Sequence, residues 1–135
     1  MPAPSVLIVD DDPDIVAYVT SLLEDHGYAT RSAGDAGQAV RVLEGFRPDA
    51  VLVDVLMPGK SGLDLLVMLR RDERWRSIPL VVVTGMDQIL EHDCQSYLTS
   101  HHGVSGPDAV LGKPIDPRAL LAVLAHICGR LPGAA

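Results

Sequence analysis

The chain is poor in cysteine, has no dense basic block and carries no long apolar run, and each shortage removes a class of function. Cysteine occurs twice in 135 residues, at Cys94 and Cys128. Two thiols outside any Cys-x-x-Cys pair do not make a disulfide framework, and they read as reduced thiols of a cytoplasmic protein. No apolar run reaches the roughly 18 residues a bilayer span requires. The start of the chain, Met-Pro-Ala-Pro-Ser, has neither a basic flank nor an apolar stretch, so no secretory signal is expected. Lysine and arginine total 11 against 18 acidic residues, giving a net charge of −7. That balance leaves no electrostatic footprint for nucleic acid, and neither direct nucleic-acid binding nor a membrane partner is expected of this domain. Internal repeats and low-complexity tracts are also missing.

What is present is a core. Hydrophobic residues make up 47% of the chain, enough for one compact domain. Residues 1–130 are expected to form that domain. Residues 131–135 are expected to be a tail or the start of a linker to a DNA-binding or enzymatic domain. Short apolar runs alternate with longer amphipathic segments. Strands are predicted at Val6–Val9, Tyr28–Ser32, Ala50–Val53, Leu80–Val83 and Ala109–Leu111. Helices are predicted at Pro13–Asp25, Asp35–Phe46, Leu63–Glu73, Asp87 to about Ser100, and Asp116–Cys128. In the first helix Ile15, Val16, Val19, Leu22 and Leu23 recur at helical spacing, with Gly27 just past its end. Asp116 and Pro117 have the chemistry of an N-cap and a first helical residue. Pro58, Gly59 and Gly62 mark a loop after the third strand. Five strands alternating with five helices imply an α/β fold, a doubly wound parallel sheet covered on both faces.

In such sheets ligands bind beyond the carboxyl ends of the strands. The first strand ends in Asp10, Asp11 and Asp12, the third in Asp54, the fourth in Thr84 and the fifth in Lys113. Taken singly, each has a plainer explanation. Asp12 before Pro13 reads as a helix cap, Thr84 as a strand-end hydroxyl and Lys113 as a solvated charge. Taken together, they offer hard oxygen ligands, a hydroxyl and an ammonium at one sheet edge. Gathered carboxylates repel one another, and a bound cation relieves this. An open, all-oxygen site suits Mg²⁺, which keeps waters and accepts phosphate oxygens. A carboxylate beside it can attack phosphorus to form an aspartyl phosphate.

The stretches Val6-Leu-Ile-Val-Asp-Asp-Asp-Pro-Asp-Ile15 and Val51-Leu-Val-Asp-Val-Leu-Met-Pro-Gly-Lys-Ser-Gly62 carry a family resemblance. So do Ile78-Pro-Leu-Val-Val-Val-Thr-Gly85 and Leu111-Gly-Lys-Pro114. Over almost its full length the sequence resembles the receiver domain of two-component response regulators. The resemblance implies a flavodoxin-like three-layer (βα)5 fold with strand order 2-1-3-4-5. It implies Asp54 as phosphoacceptor. Mg²⁺ would be held by Asp10, Asp11, Asp54 and the backbone carbonyl of Leu56, and the phosphoryl oxygens by Thr84 and Lys113. A cis Lys113–Pro114 bond is expected. The phosphodonor would be a histidine kinase or a histidine phosphotransfer protein. A downstream protein would read the face of the fourth helix, fifth strand and fifth helix, and homodimerisation is compatible with it. The chain would be a switch with self-catalysed phosphoryl transfer, and not an enzyme with a separate substrate.

Three features depart from the family pattern. Val110 stands where an aromatic residue usually moves with the threonine. Thr84 and Lys113 are 29 positions apart, a longer connection than usual, with the surplus around His92, Cys94, His101 and His102. The spacing of those side chains matches no common zinc pattern, and a solvated loop accounts for them. Leu56 and Met86 flank the site with apolar side chains, which are expected to exclude water and lengthen the phosphorylated lifetime. Two alternatives stand beside the main reading. A degenerate receiver would bind a partner without phosphorylation. A haloacid-dehalogenase-like phosphatase would use Asp10 and Asp12 as its Asp-x-Asp pair, but it needs a later acidic pair, and only Asp116 follows Lys113.

Overall fold

The computed structural model describes residues 3–55, 62–85 and 106–128. Five strands form one parallel sheet: β1 (Ser5–Val9), β2 (Ala29–Ala33), β3 (Ala50–Asp54), β4 (Leu80–Thr84) and β5 (Ala109–Gly112), in the order β2-β1-β3-β4-β5. The described helices are α1 (Pro13–Asp25), α2 (Ala36–Gly45), α3 (Gly62–Arg71) and α4 (Pro117–Ile127). This is the doubly wound, flavodoxin-like arrangement expected. The predicted helix from Asp87 to about Ser100 and the tail after Arg130 lie outside the described residues.

The central strands are apolar on both faces because both faces are covered. On one face Leu7, Val9, Val51, Val53, Leu80 and Val82 meet Ala36, Ala39 and Leu43 of α2 and Leu65, Leu66 and Leu69 of α3. On the other, Val6, Ile8, Ala50, Leu52, Val81 and Val83 meet Val19 and Leu23 of α1 and Leu120 and Leu124 of α4. The four-residue spacing of each helix pair puts both side chains on one stripe. Each fully buried leucine contributes about 1.5–3 kcal/mol. Local chemistry fixes the ends of α1 and α4. The Asp12 carboxylate accepts the Asp14 N–H, the Asp116 carboxylate accepts the Arg118 N–H, and each helix has proline in its first turn. Gly27, at φ +87°, reverses the chain after α1, a conformation other residues rarely adopt.

The edge strand β5 is fastened at both ends. At its start the Asp108 N–H donates to the Leu80 carbonyl at 2.8 Å, and the Leu80 N–H donates back to Asp108 Oδ2 at 2.8 Å. The buried guanidinium of Arg70 joins this corner, donating to the carbonyls of Arg76, Ile78 and Gly106 and to Asp108 Oδ2. At the other end the Lys113 N–H donates to the Thr84 carbonyl at 2.8 Å.

Candidate functional site

Parallel strands bring their carboxyl ends to one edge. Because β2 lies on one side of β1 and β3 on the other, the order of strand addition reverses between β1 and β3 while all strands stay parallel. Val9 and Val53 are register partners there, so Asp10, just beyond β1, and Asp54, ending β3, lie side by side. Asp10 and Asp54 are both buried, and Asp11 is exposed. One carboxylate oxygen from each of Asp10, Asp11 and Asp54 falls within 4.8 Å of the other two. Lys113, carried past β5, sets its Nζ 3.3 Å from Asp54 Oδ1 and 3.8 Å from Asp10 Oδ2.

The electrostatics favour a cation. Burial raises the Asp10 carboxyl above the usual range. The Asp12 amide, donating to Asp10 Oδ1 at 2.9 Å, opposes this; the negative charge of Asp54 adds to it; Lys113 again opposes. Three carboxylates thus face one ammonium, so the cluster carries surplus negative charge in a partly dehydrated place. Hard oxygen donors around an open position fit Mg²⁺ better than a transition metal. Asp10, Asp11 and Asp54 are the residues that could hold it. Asp12, by contrast, turns its carboxylate to the cap of α1, as its place before Pro13 suggested. An Asp10/Asp12 pair of the phosphatase kind is therefore not formed.

Thr84 ends β4, where Val83 is the register partner of Asp54, and its hydroxyl is buried within 3.4 Å of the Gly85 carbonyl. Its own carbonyl holds the Lys113 N–H, so threonine and lysine share a backbone bond at the sheet edge. The Lys113–Pro114 peptide is cis, as the resemblance implied. Val110 is partly buried and packs toward the α2–α3 side of the sheet. A mostly apolar groove of about 460 Å³ runs from Asp10 and Asp11 along α1, past Pro13, Val16 and Thr20. The Leu56 carbonyl, Met86, His92, Cys94, His101 and His102 lie outside the described residues.

Gly62, expected as a loop residue and quoted as the last residue of the Asp54-to-Gly62 motif, is instead the first residue of α3, packed on the main chain of Asp54. The motif marked the position, and its contact with Asp54 was not foreseen.

Comparisons with known proteins agree with this geometry. The family model described as the response regulator receiver domain matches residues 6–125. Protein PilH of Pseudomonas aeruginosa is 31% identical over 125 residues, covering 88% of this chain and 93% of that protein. The DNA-binding response regulator MtrA of Mycolicibacterium smegmatis is 33% identical over 121 residues, 87% of this chain and 47% of that protein. The chain thus spans about half the length of MtrA and of RpaA from Synechocystis, another DNA-binding regulator that it matches. Among solved structures, a response regulator receiver domain protein from Methanospirillum hungatei superposes with a TM-score of 0.80 at 27% identity, covering 94% of each chain. Among the described residues no helix is long and apolar enough to cross a membrane. With its sheet order, its acidic switch-point cluster and a family match across nearly the whole chain, this protein belongs to the response regulator receiver domain family, and so to two-component signalling.

Proposed function

We propose that the chain is a Mg²⁺-dependent phosphorylation switch acting in the cytoplasm, with Asp54 as the phosphoacceptor. The observation that carries this is the convergence of three carboxylates within 4.8 Å, with the Lys113 ammonium 3.3 Å from one of them. Bound Mg²⁺ would supply charge neutralisation between Asp54 and the incoming phosphoryl oxygens, held by Asp10, Asp11, Asp54 and the Leu56 carbonyl. The Asp54 carboxylate oxygen attacks the phosphorus of a phosphohistidine on a kinase or phosphotransfer protein. An O–P bond forms, the P–N bond breaks, and its electron pair stays on the imidazole nitrogen. Lys113 then pairs with the phosphoryl oxygens, and the Thr84 hydroxyl donates to another. Later, water attacks the phosphorus, the Asp54 O–P bond breaks, and the carboxylate and inorganic phosphate are released. No separate substrate is turned over.

The phosphoryl group adds about −1.5 to −2 of charge. With Val110 in place of an aromatic residue, the response is carried by the backbone bond that joins Thr84 to Lys113, and from there into β5 and α4. A downstream protein reads the face that carries β5 and α4. The test is intact mass after incubation with Mg²⁺ and acetyl phosphate. A gain of about 80 Da, one phosphoryl group, is expected for the wild type and not for Asp54→Ala. If the wild type neither labels nor binds beryllofluoride with Mg²⁺, the switch is refuted and the phosphorylation-independent binding module takes its place.

A further inference from the structure

A Cβ added at Gly62 would run into the Asp54 carbonyl oxygen and would stand 2.7 Å from Val53 Cγ1 and 2.9 Å from the Asp54 carbonyl carbon. The obstacle is mostly main chain, which has no rotamer by which to withdraw. Neither side of the contact is free to give way. β3 is the central strand, buried along its whole length and paired to β1 and β4. α3 is held from below by Leu65, Leu66 and Leu69, all fully buried. The Gly62 N–H also donates to the Val55 carbonyl at 2.8 Å, and the Val55 N–H donates to Val83 at 3.0 Å. Any shift at position 62 therefore reaches the chain at Val55 and Asp54 directly.

We propose that Gly62 is a positioning residue for the phosphoaccepting carboxylate: the absent side chain lets the start of α3 seat on the Asp54 main chain, and that seat sets where the carboxylate stands relative to Asp10, Asp11 and Lys113. The inference rests on Asp54 being the acceptor. The spacings at stake are the 4.8 Å carboxylate cluster and the 3.3 Å lysine contact. A misplacement of about 1 Å can cost on the order of a hundredfold where positioning supplies the effect.

The experiment measures beryllofluoride affinity in the presence of Mg²⁺, together with the melting temperature, for wild type, Gly62→Ala, Leu69→Ala and the double variant Gly62→Ala/Val53→Ala. Leu69→Ala loosens α3 away from the site and serves as the stability control. The expected result is an affinity about a hundredfold lower in Gly62→Ala, with Leu69→Ala at wild-type affinity despite a lower melting temperature. The double variant, which removes the Val53 contact and keeps the main-chain one, is expected to stay weak; it also supplies the answer if Gly62→Ala alone does not fold. Wild-type affinity in Gly62→Ala or in the double variant overturns the proposal and leaves the phosphoacceptor reading standing. A loss in Leu69→Ala equal to that in Gly62→Ala overturns it as well. Absence of binding in the wild type overturns both.

Discussion

Replacing Arg70 with methionine tests the corner that fastens β5. The arginine side chain is 8% exposed, and its guanidinium serves three carbonyls and one carboxylate. Methionine keeps most of the apolar volume, so the cavity contribution is small. Asp108 is 45% exposed and regains water, so its share of the pair is about 0–1 kcal/mol. The bonds to the Ile78 and Gly106 carbonyls are partly buried, and stranding each acceptor costs about 1–3 kcal/mol. Arg70 Nε is itself buried without a partner among the described residues, so its removal offsets part of this. The net expectation is a loss of about 3 kcal/mol, or roughly 6–12 °C in melting temperature for a domain of this size. Urea unfolding of Arg70→Met, with unchanged slope, measures it directly. Arg70→Lys should lose most of the same amount, because one ammonium cannot span four acceptors. A loss below about 1 kcal/mol in both variants would show the guanidinium to be a surface charge with incidental contacts.

Two further outcomes are expected. Asp12→Ala should destabilise the protein by about 1 kcal/mol through the lost cap while leaving Mg²⁺ affinity unchanged; a large fall in Mg²⁺ affinity would move Asp12 from the helix to the metal site. The Cys128 thiol is pushed up to about 11, first by burial and then by the charge of Asp49. Its contribution to stability is therefore fully present below the ordinary thiol value of 9.0 and is lost as pH rises from there through about 11. Iodoacetamide labelling at pH 8, followed by peptide mapping, should modify Cys128 on the order of a hundred times more slowly in the folded than in the unfolded protein. Equal rates would contradict the burial.

The sheet was legible because its central strands are unbroken apolar runs and α1 is punctuated by Asp12, Pro13 and Gly27. Boundaries were less so. The second strand begins at Ala29 and not at Tyr28, because Tyr28 still belongs to the α1 turn through its N–H bond to Leu23. The third helix stops at Arg71, short of the expected Glu73, because Asp72 takes the Arg74 amide and guanidinium into a local turn. The acidic cluster and Lys113 could be read from sequence since topology alone sends strand ends to one edge. Arg70 could not. It looks like its neighbour Arg71, and what sets it apart is a set of acceptors up to 38 residues away. The packing of Gly62 on Asp54 was hidden for a similar reason: a close approach between a helix start and a strand end leaves no periodicity.

The double fastening of β5 ties its register to the state of the site. Its alignment on β4 is written at Asp108 and at Lys113, at either end of the strand. A slip of one residue would break both fastenings together and turn every side chain of the strand to the opposite face. Lys113 would then leave Asp54 and Asp10, so an intact lysine contact at the sheet edge reports that the edge strand is correctly registered.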